Sequence, residues 1–102
     1  MSIRHVALFR WQPGTTSEQI VEVERRLAQL PAHIPELRAY TFGADVNIST
    51  DTFDFAVVAD VDDAAGFCAY RDHPEHQQVL GIISPLVSER AAVQFTLSGT
   101  KG

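Results

Sequence analysis

The 102-residue chain is long enough for one hydrophobic core and too short for two, and its 45% hydrophobic and 21% charged residues exclude a disordered chain. Eight basic against thirteen acidic residues leave a net charge of −5, with no Lys/Arg cluster to offset it, which excludes a nucleic-acid partner. Cys68 is the only cysteine, MSIRHVALFRW lacks the apolar core of a secretion signal, and no apolar run approaches a membrane span; a cytoplasmic protein with no membrane partner is expected.

Ile3 to Trp11 alternates, with Ile3, His5, Ala7, Phe9 and Trp11 on one side and Arg4, Val6, Leu8 and Arg10 on the other, so period two predicts a strand. Pro13-Gly14 ends it. Thr16 and Gln19 have capping-box spacing, and Ile20, Val23, Leu27 and Leu30 follow at helical spacing. Pro31 and Pro35 are expected to bracket the end of this helix, leaving His33 in an exposed loop. Arg25 and Arg26, flanked by Glu22 and Glu24, read as solvated pairing residues.

Leu37 to Phe42 predicts a second strand, stopped by Gly43, and a polar connection runs from Asp45 to Thr52. Phe53 to Val61 predicts a third, with Phe53, Phe55, Val57, Ala59 and Val61 on one face. Asp62 and Asp63 can cap a second helix bearing Ala64, Phe67, Cys68 and Arg71 at helical spacing, where Cys68 on the apolar stripe reads as a buried thiol. His73-Pro74 interrupts that helix, a further turn or two runs to about Ile83, and Pro85 breaks it. Glu89 to Leu97 predicts a last strand, Ala91, Val93, Phe95 and Leu97 against Arg90, Ala92, Gln94 and Thr96.

The order β-α-β-β-α-β predicts a ferredoxin-like α+β fold, an antiparallel sheet with helices on one face, as a single domain over residues 1–98 with a flexible tail at 99–102. Both strand faces are apolar: Val6 and Leu8 as well as Ala7 and Phe9, with Val93 and Phe95 on the last strand. Helices cover only one of these faces, so a homodimer through the open sheet face is expected.

RHVALFRWQPGTTSEQ, LPAHIPEL, AYRDHPEHQQV and the terminal AVQFTL together resemble the stress-responsive A/B barrel domain (Dabb) family, from about Ile3 to Leu97. The most specific pieces are His5 and the Y-x-x-H-P-x-H segment Tyr70 to His76. The resemblance implies a dimer whose two sheets pack face to face into an α+β barrel, helices outside. Through similarity to a plant polyketide cyclase of the family, it also implies a catalytic set of His5, His76 and Tyr70, the tyrosine helping to place the substrate. The first helix offers Val23, Glu24 and Leu27 rather than aromatic residues, so no aromatic wall is expected there.

Pro74 suits the first position of a helix, which puts His76 in the first turn near the positive end of the helix dipole. A neutral His76 could act as general base beside a carbonyl, as in an aldol or Claisen closure, with His5 polarising the carbonyl oxygen and Tyr70 donating a hydroxyl. The expected pocket lies between sheet and helices, with Ala7, Phe9, Leu27 and Val57 touching a small apolar ligand. The plain alternative makes His73 and His76 caps of the helix start and His5 a hydrogen-bonded interior residue. His73 and His76 are spaced so that both could meet an ion with Asp72 or Glu75 nearby, but no metal is expected, because the sequence offers no H-E-x-x-H or Cys pattern to complete a site. No cofactor is expected either, as no phosphate loop and no flavin or nicotinamide fingerprint is present. Three functions remain open: a cofactor-free cyclase or lyase, a non-enzymatic stress-responsive dimer, and a cofactor-free monooxygenase of the same fold.

Overall fold

Alternation along β1 (Ser2–Trp11) buries His5, Ala7 and Phe9 and leaves Arg4, Val6, Leu8 and Arg10 partly exposed. The computed structural model describes residues 2–97, so the tail expected at 99–102 lies outside the described residues. After β1 come α1 (Ser17–His33), β2 (Ala39–Ala44), β3 (Phe55–Val61), α2 (Ala64–Asp72), α3 (Pro74–Ile83), a 3-10 turn (Ser84–Leu86) and β4 (Val87–Leu97). The strands form one antiparallel sheet in the order β2-β3-β1-β4, the ferredoxin-like arrangement. The second helix of the six-element pattern is two helices, broken at His73.

Register decides which residues share a row across the sheet. Tyr40, Ala59, His5 and Gln94 form one row, Phe42, Val57, Ala7 and Ala92 the next, and Ala44, Phe55, Phe9 and Arg90 a third. These rows lie on the helix side, above which Val23, Leu27 and Leu30 of α1, together with Ile34, complete the core. The other side carries Val58, Val6 and Val93 in one row and Ala56, Leu8 and Ala91 in another. Among the described residues, no helix lies over it. Val93 and Phe95 remain 54% and 44% exposed there, beside the bidentate Arg4–Asp60 ion pair.

Helix α1 begins as its sequence predicts. The Thr16 hydroxyl accepts from Gln19 N–H at 3.1 Å, and the Gln19 side chain accepts from Thr16 N–H at 2.8 Å. Its end differs from expectation. Pro31 lies inside the helix, and the last turn continues to His33, which is exposed but helical rather than in a loop. Fully buried Ile34 anchors the chain just beyond, its N–H donating to Leu30 O at 3.0 Å, and this holds the turn that Pro31 weakens.

Three further expectations change. Strand β2 starts at Ala39 and passes through Gly43, which pairs with Ala56; it is not a terminator. Strand β3 starts at Phe55, and Phe53 instead lies under the Arg10 guanidinium at 4.1 Å from its ring centre. Cys68 is exposed, because Tyr70 is the residue α2 buries and Phe67 is half-buried beside it. Among the described residues, no helix is long and apolar enough to cross a membrane.

Candidate active site

His5 points from the middle of β1 toward the helices and is only 6% exposed. Gln94, its neighbour in the β1–β4 register, donates from Nε2 to His5 Nδ1 at 2.9 Å. Since Nδ1 accepts, the neutral ring carries its proton on Nε2. His5 is therefore a hydrogen-bond donor on its free edge.

His76 is placed by the break between the two helices. His73 has extended backbone, and its Nδ1 accepts the Glu75 N–H at 3.1 Å, while Pro74 occupies the first helical position. His73 is thus a cap, as its position before proline suggests. One turn on, His76 Nδ1 donates to the Arg71 carbonyl at the end of α2, at 2.9 Å. A carbonyl can only accept, so the neutral His76 ring has its proton on Nδ1 and its lone pair on Nε2. The two histidines hold opposite tautomers. One offers a proton at Nε2 and the other can take one there.

Both rings resist protonation. Burial lowers the proton affinity of His76 below the ordinary histidine value, and the positive charge of Arg90 adds to this, against the opposing pull of the Arg71 carbonyl. Burial is also the first cause at His5, followed by Arg90 and His76. Burial is thus the first cause of the lowered His76 value. Tyr70 is 3% exposed, and burial pushes its hydroxyl upward, so it stays protonated as a donor. Its ring centre lies 4.3 Å from that of His76 and 6.4 Å from that of His5.

A cavity of about 410 Å³ opens among these groups, within the usual range for small-molecule sites. His5, Ala7, Phe9, Leu27, Val57, Tyr70 and His76 all line it. Cys68 does not, which removes it as a nucleophile for this cavity. An aromatic wall is present after all, contrary to expectation. Phe67 approaches His5 to 5.1 Å, and Tyr40 meets Tyr70 edge-on at 6.2 Å, so β2 and α2 supply what α1 lacks.

No group of three or more His, Cys, Asp or Glu side chains able to hold a metal forms among the described residues. His73 and His76 each commit Nδ1 to the backbone, one to Glu75 N–H and the other to the Arg71 carbonyl.

The depressed histidines make stability pH-dependent. In the unfolded chain they titrate near 6.5, above their folded values, so the unfolded state gains protons first as pH falls. Their contribution is complete above 6.5 and declines as pH drops from there toward the folded values. The charges facing them are Arg90 from β4, His73 at His76 and His76 at His5, which sharpen the loss, and Asp72, which opposes it at His76. The melting temperature is expected to fall between about pH 7 and pH 5, and His5→Gln with His76→Gln should flatten that fall in a calorimetric series.

The model of the stress responsive A/B barrel domain, Dabb, matches residues 3–97. The chain belongs to the Dabb family. Among solved structures, the Dabb chain is 52% identical to a dimeric ferredoxin-like protein of unknown function from Thermobifida fusca YX, with a TM-score of 0.90 over 95% of this chain and 92% of that one. A dimeric ferredoxin-like protein from Bacteroides fragilis NCTC 9343 is 24% identical, with a TM-score of 0.83 over 94% and 96%. The hydroxynitrile lyase of Passiflora edulis is 17% identical, with a TM-score of 0.85 over 99% and 97%. These last two likenesses establish the fold alone. A comparison with curated proteins finds no match.

Eleven further residues line the Dabb cavity; sequence reasoning did not name Tyr40, Phe67 or Arg71 among them, and it left open whether Arg90 and Gln94 enter the pocket or only reach its rim. Gln94 and Arg90 share the inward side of the β4 alternation, and that pattern is their only sequence signal. Tyr40 has the same signal in β2.

Proposed function

We propose that this Dabb protein is a homodimer in which each subunit binds a small, mostly apolar carbonyl compound and moves a proton at the carbon beside that carbonyl, without a cofactor. The observation that carries this reading is the pair of opposite tautomers on one cavity, His5 with Nε2–H and His76 with a free Nε2 lone pair. The carbonyl oxygen accepts from His5 Nε2–H while His76 Nε2 takes the α-proton, leaving an enolate that His5 and the Tyr70 hydroxyl stabilise. In a molecule with a second carbonyl, the enolate carbon bonds to that carbon, and His76 returns the proton to the new alkoxide. Atoms and charge then balance with no oxidant or metal.

Ala7, Phe9, Leu27 and Val57 hold the apolar part of the ligand and exclude water, which strengthens the hydrogen bonds at its carbonyl. Dimerisation through the open sheet face is supported by its rows of valine, leucine and alanine and by the dimeric relative from Thermobifida fusca. We assign residues 1–98 to one domain, and a reducing cytoplasm suits the single exposed thiol.

The test needs no knowledge of the natural substrate. In deuterated buffer, the wild-type protein is expected to incorporate deuterium beside the carbonyl of a medium-chain methyl ketone faster than free imidazole at equal concentration, read by NMR. A ketone that binds in the cavity yet exchanges no faster than in buffer would favour a non-enzymatic dimer.

A further inference from the structure

Seven arginines lie among the described residues, and six pair with carboxylates: Arg4 with Asp60, Arg10 with Glu89, Arg25 and Arg26 with Glu22, Arg38 with Asp62, and Arg71 with Asp72. Arg90 makes no ion pair among the described residues. It belongs to the inward row of β4, paired in register with Phe9, four residues before Gln94, and it lines the cavity. No Asp or Glu lines that cavity, and the other arginine there, Arg71, is already matched by Asp72. A chain of net charge −5 therefore presents one uncompensated positive charge at the cavity that holds both histidines. The charge is felt inside, since it disfavours protonation of both histidines and lowers Tyr70 against the effect of burial.

An unpaired guanidinium at a low-dielectric opening attracts anions, and its planar fork matches a carboxylate with two parallel hydrogen bonds. Lysine would supply charge without that geometry. Four residue steps along the strand, about 13 Å of backbone, separate Arg90 from Gln94 and so from the His5 end of the cavity, room for several carbons between an acid group and a carbonyl.

We infer that Arg90 is an anion-binding residue and that the ligand is a small keto acid, its carboxylate on Arg90, its apolar chain over Phe9 and Leu27, and its carbonyl beside His5 and His76. This rests on the reading of the cavity as a ligand site. It goes beyond that reading by fixing the charge and polarity of the ligand.

Isothermal calorimetry with octanoate and octanamide separates the two claims. The wild-type protein is expected to bind octanoate about tenfold more tightly than octanamide near pH 7 at low salt, as suits a charge-assisted pair that is partly solvated. Arg90→Gln should remove this preference by weakening octanoate alone, and Arg90→Lys should restore part of it. Added salt should weaken octanoate and spare octanamide. Equal binding of both probes by the wild-type protein, or an octanoate preference that survives Arg90→Gln, overturns the anion site while leaving the cavity as a neutral-ligand site. Binding of neither probe overturns both. Arg90 is exposed, so an unchanged melting temperature confirms that the variant is folded.

Discussion

Replacing His76 by glutamine is expected to slow α-deuteration of the methyl ketone by about 10²-fold or more, the usual loss when a positioned general base is removed. Glutamine keeps a polar side chain of similar reach and can still donate to the Arg71 carbonyl, so the α2–α3 junction keeps its hydrogen bond. It has no nitrogen lone pair that can accept the proton. Ketone affinity should stay within about twofold, because His76 engages the α-proton only as the transition state forms. His5→Gln should instead lower both affinity and rate, since the Nε2–H donor meets the carbonyl before and after proton transfer. Alanine is the poorer replacement at position 5: the side chain is 6% exposed, and truncation would leave a void and an unpaired Gln94 amide. A His76→Gln protein that exchanges the ketone at the wild-type rate would remove His76 from the chemistry.

Val93→Asp is expected to convert the proposed dimer to a monomer. Val93 is 54% exposed in the single chain and shares its row with Val6 and Val58, on the side no helix covers. A two-fold axis across this face would bury two new carboxylates at once, each without a partner. The cost is on the order of 4 kcal/mol, about three decades in the dissociation constant. Sedimentation at micromolar concentration should show the wild-type protein as a dimer and Val93→Asp as a folded monomer. A wild-type monomer, or a variant dimer of unchanged affinity, would move the interface elsewhere. The His5–His76 cavity opens on the opposite side of the sheet, so the monomeric variant should still bind ligand if it keeps its fold.

The inner face of the sheet was legible because alternation survives in every long strand: His5, Ala7 and Phe9 can be read from β1 with no coordinates. His76 was legible from Pro74, which marks where a helix begins. The tautomers were not. They depend on Gln94, 89 residues from His5, and on the Arg71 carbonyl, a backbone atom. Neither contact has a local pattern, because strand register and the angle between α2 and α3 are set by the whole core. Cys68 and Tyr70 show the same limit in a short helix. Two residues apart on α2, they lie on different faces, and the apolar spacing through Ala64, Phe67 and Cys68 does not reveal which face turns inward. Pro31 misleads for a different reason: local propensity is overridden where Ile34 is wholly buried just beyond the helix.

The most direct measurement is the nitrogen NMR signature of the four imidazoles near pH 7, assigned with His5→Gln and His76→Gln. The account predicts neutral rings at both positions, protonated on Nε2 at His5 and on Nδ1 at His76. A charged His76, or two rings of the same tautomer, would contradict it.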